Sequence, residues 1–445
     1  MIRSGKMRKL INSIIGVALV VVIVLLALPL GMSFWLKNNY SSILTRFSQA
    51  HNVSLKLINF DRAWFTSKAV IQVIIQNSED KTTQPIKFTI NQHIFNGPFI
   101  FSKNNHKVKL HCAKALVYST SNDPNFTFHS STLLRFNNSS KNSIYASNVN
   151  VTNGQEQIVL KDTNLEILYN PLNQRLVSDA VIKSALISEQ QKNFFLIMDN
   201  IIWHNDLHHT TPLWEGKRSL SLNKFTYYLT PEQPIEVKNF ILENQQNLTN
   251  DTTTLTFYSH ADSIKDAYLN LAPLDIKFSL TQMNTAALVN LINTALNQNH
   301  LKLNPQQFRQ FHTPIINLLA QGLEVSLAHL IFGTEEGKVS VQGRLYLLAQ
   351  NQSPYLSQIM INSKGKLQAK MPMAWLKKEL SRIYEDKKVA LDDQALTPEQ
   401  IADQQIQYWI NNKKLIPQNQ NVELTIDYYK GKLLFNNLPS PAPQQ

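Results

Sequence analysis

Alternation of apolar and polar residues dominates the chain from Val53 to about residue 282. A period of two is typical of strands, because successive side chains point to opposite faces of a sheet. Clusters of Asn, Ser, Asp and Pro separate these runs, and no long helical pattern lies between them. The pattern predicts an antiparallel sheet built from short strands such as SLKLINF, AVIQVII, PIKFTI, HKVKLH, NFTFHSS, IYASNVNV, QIVLKDTNLEILY and SLSLNKFTYYL.

The period changes near residue 283. The run MNTAALVNLINTALNQ places its apolar residues at helical spacing, with Asn284 or Thr285 available as the N-cap. A second helix is predicted to begin at Pro305, because proline is tolerated in the first helical turn. We expect Pro314 to kink or break this helix and Gly322 to end it.

The C-terminal part mixes strands and helices. The runs LEVSLAHLIF and KVSVQGRLYLL predict a hairpin that turns at residues 333–337, and GKLQAKMP predicts one more strand. An amphipathic helix is predicted over Met373–Tyr384. A second helix should begin at Thr397, because threonine is a favoured N-cap and is followed by proline at N1 and glutamine at N3. The run NVELTIDYYKGKLLFNN predicts a final hairpin that turns at Lys430 and Gly431.

The N-terminus carries four basic residues, followed by no charge from Leu10 to Leu36. About 20 apolar residues cross the hydrocarbon of a bilayer, so this stretch predicts a transmembrane anchor with a cytoplasmic N-terminus and a periplasmic body. The alternative is a cleaved signal peptide, for which residues 31–33 offer small side chains. The apolar core is longer than the roughly 7–15 residues typical of such signals, which favours the anchor.

These patterns together predict an α+β protein: one N-terminal transmembrane helix, a mainly antiparallel sheet body, a helical insertion and C-terminal helices. The predicted organisation is a cytoplasmic flank 1–9, an anchor 10–36, a β-rich region 37–282, a helical segment 283–322, an α+β region 323–437 and a loose tail 438–445.

Composition excludes several classes of protein. The single cysteine, Cys112, excludes an internal disulfide and a cysteine-based zinc knuckle, and its alternating context predicts a buried small apolar residue. The net charge is +12, but the basic residues are scattered and form no block, which argues against nucleic acid as a partner. The 12 glycines include no G-x-G spacing, so phosphate-binding loops made of glycine backbone are absent and no cofactor is expected.

A histidine-rich run, WHNDLHH, is the one candidate for metal chemistry. His204 and His208 are four residues apart, and on a helix they would share a face with His209 nearby. The flanking Asn, Asp, Thr and Pro residues instead predict a loop between two strands. We therefore expect no metal site here, and keep a site formed by these three histidines as the alternative.

The segment INFDRAWFTSKAVIQVII raises a choice between chemistry and architecture. Arg62 could bind an anion with help from Trp64. The strand that follows is apolar on both faces, which predicts that Phe60, Trp64 and Phe65 enter the core and that Arg62 supports the fold. The second interpretation is favoured, and no catalytic residue is predicted.

Three motifs give the chain a family resemblance: Phe60 to Ser67 opening a strand, Gly97-Pro98-Phe99 some thirty residues later, and a Tyr-x-x-Gly hairpin that ends at Gly431. In this combination and order the chain resembles the YdgA-like bacterial envelope proteins, a family of unknown function. Ala63 and Asn96 stand where that family has glycine and, often, histidine. The resemblance implies a periplasmic body anchored in the inner membrane, and implies no reaction. The family-motif residues are Arg62, Trp64, Phe65, Ser67, Gly97, Pro98, Phe99 and Gly431.

The predicted function is a non-enzymatic envelope role: binding or scaffolding at the membrane surface, with the N-terminal helix in the membrane and a lipid or an envelope protein as ligand. A sheet that is apolar on both faces and closed by the helices of residues 283–321 could enclose a groove for an acyl chain. The favoured alternative is that these helices simply cover the sheet as core. The rival function is a metal-dependent envelope hydrolase that uses the three histidines.

Overall fold

The computed structural model describes most of the chain and divides it into two compact units, residues 1–204 (unit 1) and 205–445 (unit 2). The described residues are 29, 33–34, 37–42, 44–45, 53–75, 86–104, 107–153, 156–189, 194–210, 212–228, 234–249, 251–266, 270–296, 305–350, 355–387, 396–436 and 438–439.

Unit 1 is an antiparallel sheet in which strands pair in the order β1-β2-β3-β6-β7-β8-β9-β10, while β4 and β5 form a separate hairpin. Strand β11 (Phe194–Thr210) begins in unit 1 and ends in unit 2. The other strands are β1 (Val53–Arg62), β2 (Thr66–Ile75), β3 (Ile86–Asn96), β4 (Phe99–Asn104), β5 (Lys107–Cys112), β6 (Ala115–Asp123), β7 (Phe126–Leu134), β8 (Ser140–Asn153), β9 (Glu156–Asn170) and β10 (Arg175–Glu189).

A helical segment before β1 covers one end of this sheet. Its described residues between 29 and 45 are helical, and Tyr40 and Leu44 pack on Ala69, Ile71 and Ile94 of β2 and β3. Tyr40 also donates a hydrogen bond to the Gln92 side chain, which in turn donates to Ser119. Apolar burial and a polar bond therefore fix the segment on the sheet together.

Unit 2 contains the remaining strands and all five labelled helices. Its main pairing order is β12-β13-β14-β17-β18-β19-β20-β22-β23-β24, all antiparallel, and the short strands β15, β16 and β21 pair at its margins. The strands are β12 (Leu213–Tyr228), β13 (Pro234–Thr249), β14 (Thr252–Ala261), β15 (Ser263–Lys265), β16 (Asn270–Leu271), β17 (Leu274–Asn284), β18 (Leu323–Thr334), β19 (Gly337–Leu347), β20 (Lys364–Pro372), β21 (Ile416–Gln418), β22 (Asn421–Tyr429), β23 (Lys432–Phe435) and β24 (Leu438–Pro439).

The helices begin and end close to the predicted positions. The Asn284 side chain accepts a hydrogen bond from the backbone N–H of Ala287, and Thr397 forms the predicted capping box with Gln400. Gly322, with φ of +86°, follows the second helix, which runs through Pro314 without a break. The helices are α1 (Thr285–Leu296), α2 (Pro305–Ala320), α3 (Leu356–Ile361), α4 (Met373–Lys387) and α5 (Pro398–Asn411).

The helices of unit 2 cover its sheet. Leu288 of α1 and Ile316, Leu318 and Ala320 of α2 form one buried cluster with strand residues such as Met283. This arrangement agrees with the interpretation that the helices of residues 283–321 cover the sheet as part of the core. The hairpins at Gly333–Gly337 and Lys430–Gly431 are both observed, and the second turns through two residues with positive φ.

The fold-class prediction is wrong in one part, the transmembrane helix of residues 10–36. No helix in the described part of the chain is long and apolar enough to cross a membrane. Of the predicted span only Pro29, Ser33 and Phe34 are described, and the rest lies outside the described residues. Ser33 is buried and donates a hydrogen bond to the carbonyl of Ala63, so this end of the span packs on the sheet.

Two local predictions are also wrong. Cys112 is exposed, because it pairs with Phe99 on the outer face of the β4–β5 hairpin, whereas Ile100 on the other face is buried. The histidine-rich run is part of the long strand β11 rather than a loop. Backbone pairing tolerates Asn, Asp and Thr within a strand when their side chains lie at the surface.

Ionisation of Tyr40 should loosen unit 1 at high pH. Burial raises the pKa of Tyr40 from 10.0 to about 12. Because the folded-state pKa is the higher one, the stabilisation is complete below pH 10 and is lost as the pH rises towards 12. We expect Tyr40→Phe to remove roughly 2 kcal/mol of this pH dependence, measured by urea unfolding at pH 9 and pH 11.5. An unchanged dependence in Tyr40→Phe would contradict the assignment, and the exposed Tyr355→Phe serves as the control.

Candidate functional site

The first two family motifs meet in the structure. Motif residues 60–67 end β1 and open β2, and the backbone N–H of Asn96 donates to the carbonyl of Phe65 across 2.8 Å. Ser67 is buried between the Ser33 hydroxyl at 3.3 Å and the Asn96 amide at 3.5 Å. These polar contacts join the helical segment, β2 and β3 at one point.

Arg62 lies over an aromatic ring. Its guanidinium carbon is 3.6 Å from the centre of the Phe34 ring, a cation–π geometry that also helps to hold the helical segment. Phe60 packs against the buried cluster, in agreement with its predicted place in the core, and its ring centre is 5.3 Å from that of Tyr40. The prediction that Trp64 and Phe65 enter the core is wrong: both lie exposed in the bend between β1 and β2, stacked on each other.

Gly97 lies where the backbone of a neighbouring segment comes too close for a side chain. A Cβ at this position would be 1.8 Å from the carbonyl oxygen of Ala113. The Gly97 N–H donates to the carbonyl of Lys114, and the carbonyl of Pro98 accepts from Ala113. The Gly-Pro motif therefore fixes the β4–β5 hairpin to the main sheet, while Phe99 points outward and is exposed.

The three candidate metal ligands have different surroundings. His204 contacts the Asp179 carboxylate at 2.5 Å, and His209 packs edge-on against Trp214 with ring centres 5.0 Å apart. His208 and His209 are consecutive on a strand, so they point to opposite faces. In the part of the chain that the structure describes, no group of three His, Cys, Asp or Glu side chains could hold a metal ion. The arrangement does not fit a zinc hydrolase that uses these histidines.

One side of the long strands β7–β10 of unit 1 carries a row of apolar residues and is here named the open apolar face. Cross-strand pairs on it include Val149 with Leu160 and Ile144 with Leu165. Its members are Phe126, Phe128, Ile144, Ala146, Val149, Val151, Ile158, Leu160, Leu165, Ile167, Ile182, Ala185 and Ile187.

A line of irregular positions crosses this face. The pairing skips Ser147 on β8, Asp162 on β9 and Lys183 on β10, and Asp162 has a φ of +48°. The register between β7 and β8 shifts at the same place. The alternation of apolar residues changes phase at this line in all three strands, for example from Ile182 to Ala185 in β10. A bulge reorients the side chains beyond it, so the apolar positions of both halves share one face.

Exposure separates the covered and open parts of the apolar side of unit 1. Ile71 of β2, beneath the helical segment, is 3% exposed, whereas Ile158 of β9 is 40% exposed. The other large members of the open apolar face are partly exposed, and only its two alanines are buried. Among the described helical residues of unit 1, the contacts of Tyr40 and Leu44 are with β1–β3 and β6. The open apolar face therefore presents half-buried aliphatic side chains to whatever lies on it.

The reverse side of the same strands is mainly polar, although Leu168 and Val181 are exposed on it. Glu166 forms an ion pair with Lys141 at 3.2 Å. Asp162 accepts a hydrogen bond from Tyr145 at 3.2 Å and pairs with Lys183 at 3.4 Å. This polar side has its own partners and is solvated, so the two sides of the sheet differ sharply in chemistry.

Unit 2 contains a polar cluster that sequence reasoning missed. Asp275 accepts hydrogen bonds from His329 at 2.5 Å, Tyr258 at 3.2 Å and His260 at 3.3 Å. Burial of the Asp275 carboxyl would by itself raise its pKa, but these hydrogen bonds outweigh burial and hold the pKa below its usual value. The cluster adjoins a concavity of about 480 Å³ that Lys217, Glu243 and Lys277 also line.

This cluster is satisfied internally. His260 also contacts Asp262 at 3.1 Å, and Asn239 donates to the same carboxylate. No signal in the sequence links these residues, because they come from three strands and meet only through register: His260 opposite Asp275, and Lys277 opposite His329. The cluster stabilises the polar side of the sheet, and its hydroxyl and imidazole groups are already bonded to carboxylates.

Comparison with known proteins places the whole chain in one group. Residues 7–443 match a family described as "Bacterial protein of unknown function (DUF945)". No curated protein and no solved structure matches the chain.

A side chain at Gly97 should destabilise unit 1. We expect Gly97→Ala to lower the free energy of unfolding by at least about 2 kcal/mol, because its Cβ would overlap the Ala113 carbonyl. Chemical denaturation measures this loss. The exposed Leu110→Ala on the same hairpin should change stability by less than about 0.5 kcal/mol. Equal effects of the two variants would show that the close approach at Gly97 has no energetic importance.

Removal of the Asp275 charge should give a pH-dependent loss of stability. Because the folded-state pKa is depressed, the contribution of Asp275 is present above its ordinary pKa of 3.8 and is lost as the pH falls further. We expect Asp275→Asn to cost about 1–3 kcal/mol at pH 6 and clearly less at pH 3, measured by urea unfolding. The control is Asp403→Asn, which breaks an exposed pair with Lys377 and should cost less than about 1 kcal/mol. A loss that is the same at both pH values would contradict the proposed charge effect.

Proposed function

Since the chain belongs to DUF945, a family of bacterial proteins of unknown function, we propose its function from its own geometry: it is a non-enzymatic binding protein of the cell envelope, and its ligand is a lipid. The acyl chain of the lipid lies on the open apolar face of unit 1. The observation that carries this proposal is the exposure of aliphatic side chains along three long adjacent strands.

The extent of the face suits an acyl chain. Strands β8, β9 and β10 have 14, 15 and 15 residues. At about 3.3 Å per residue they extend roughly 45–50 Å. The hydrocarbon core of a bilayer, about 30 Å thick, contains two chain lengths, so one acyl chain needs roughly 15 Å. The face therefore offers more than enough length for one chain.

The backbone of these strands favours a flexible apolar ligand over an added peptide strand. β8 is paired on both sides, by β7 and β9, and β9 is paired by β8 and β10. Neither strand has a free edge to which an extended peptide could add. A ligand on the face must bind through side-chain contacts alone, and each methylene it buries contributes about 0.8 kcal/mol.

The cellular location stays a prediction from the sequence. The three motifs that resemble the YdgA-like envelope proteins support a periplasmic location, in which lipids are available. The proposal includes no reaction, and its ligand-binding face does not involve the three histidines of β11.

A photo-crosslinking experiment in living cells tests the proposal on the full-length chain. The photoreactive residue p-benzoylphenylalanine replaces Ile182 on the open apolar face or its neighbour Val181, which is exposed on the polar side. After irradiation, mass spectrometry should find phospholipid or fatty-acid adducts at position 182 and at least about tenfold fewer at position 181, because only the first side touches the ligand. Equal adducts from both sides, or none from either, would rule the proposal out.

A matched pair of charge substitutions then tests the contacts themselves. Ile167→Glu places a carboxylate on the open apolar face, and Leu168→Glu places one on the reverse side, where Leu168 is exposed. The first should reduce adducts at position 182 about tenfold or more, since a charge on this face must be desolvated by the acyl chain. The second should leave them within about twofold. Thermal unfolding of both variants checks that they remain folded.

A further inference from the structure

One end of unit 1 carries a group of exposed large apolar side chains. Trp64 and Phe65 in the β1–β2 bend, Phe34 of the helical segment, and Phe99 and Leu110 of the β4–β5 hairpin are all between 46% and 56% exposed. We name these five residues the aromatic patch. Single exposed apolar residues are ordinary, but a group of this size, four of them aromatic, points to an interaction surface.

Short contacts connect the elements that carry the patch. Trp64 and Phe65 are stacked, and the carbonyl of Phe65 accepts from Asn96, three residues before Phe99. Phe34 lies under the guanidinium of Arg62, at the end of the strand that leads into the bend. On the hairpin, Phe99 pairs with Cys112 and Phe101 pairs with Leu110, so Phe99 and Leu110 share its outer face.

The chain around the patch is basic. Residues 81–122 contain six lysines and no acid, and Lys103 is in β4, the strand that begins with Phe99. Arg62 adds a further exposed cation, while exposed Lys68 is paired in register with Asp61. The surface therefore combines aromatic and aliphatic side chains with an excess of positive charge.

We propose that the aromatic patch docks on the surface of a bilayer that contains anionic phospholipid. Trp and other aromatic side chains favour the boundary between headgroups and acyl chains, and lysines next to them are attracted to anionic headgroups. The sequence before Phe34 carries no charge back to Leu10, so the chain that adjoins the patch is itself apolar. A protein partner would have to match both the apolar side chains and the scattered lysines. This docking is independent of the proposed acyl-chain site, which lies on β7–β10.

The single cysteine provides a local probe in the full-length chain. Cys112 is exposed and is paired with Phe99, so a fluorophore sensitive to its surroundings reports on the patch. The labelled protein is diluted onto vesicles of phosphatidylglycerol or of phosphatidylcholine alone. On phosphatidylglycerol the label should shift its emission to the blue and be quenched by nitroxide lipids. On phosphatidylcholine the effect should need about tenfold more lipid, because the electrostatic attraction is missing.

Substitutions assign the effect to the patch. Trp64→Ser combined with Phe65→Ser should raise the lipid concentration needed for half of the label response about tenfold or more, because two large side chains no longer enter the boundary. Lys103→Gln should reduce the difference between the two lipids several-fold, because one cation next to the patch is removed. The control is Leu172→Ser, an exposed residue in the β9–β10 turn, which should change nothing.

Three results would overturn the proposal. The label could remain in water while the protein binds phosphatidylglycerol vesicles, or respond equally to both lipids. Leu172→Ser could weaken the response as much as the Trp64 and Phe65 substitutions. A label that stays in water on vesicles but becomes protected in intact envelopes would identify the patch as a protein-binding surface instead.

Discussion

Every part of this protein depends on one constraint: a paired antiparallel sheet satisfies its own backbone but leaves its apolar side chains on one side to be covered. In unit 2 the helices α1 and α2 provide that cover, and Met283, Leu288 and Ile316 are buried as a result. In unit 1 the helical segment covers β1–β3, where Ile71 is almost fully buried. The same apolar side continues over β7–β10 with only partial burial, and this difference leads to the proposed function.

The alternation that specifies the sheet is readable in the sequence, and so are the helix starts at Asn284 and Thr397. Local chemistry decides these features: side-chain periodicity, N-capping and turn residues act over a few positions. The hairpin at Lys430–Gly431 was predictable for the same reason. The alternation of apolar and polar residues along the long strands is also readable in the sequence, but it changes phase at Ser147, Asp162 and Lys183. Only the observed strand pairing shows that these three positions lie side by side.

Features that depend on distant residues could not be predicted. Trp64 and Phe65 have large apolar side chains of the kind usually found in a core. They nevertheless lie at the surface, in the bend that connects β1 and β2. Asn205, Asp206 and Thr210 indicated a loop, but they lie within a strand of 17 residues. The cluster around Asp275 depends on the register of β14, β17 and β18, and a shift of one residue would disperse it. The transmembrane helix predicted over residues 10–36 is not found among the described helices.

The line of skipped pairs across β8, β9 and β10 has a consequence for which lipid tails the open apolar face would bind, as well as for the curvature of the sheet. A sheet bends most easily where its ladder of hydrogen bonds is interrupted, and here three neighbouring strands are interrupted side by side. A sheet that bends at this line can change its curvature around a bound lipid while the strands on either side stay paired. Since the surface offers methyl groups and few donors or acceptors, a lipid bound there as proposed would be selected by the fit of its tail and not by polar contacts. At about 0.8 kcal/mol per buried methylene, one carbon more or less would change affinity about fourfold, so tails of a range of lengths would bind.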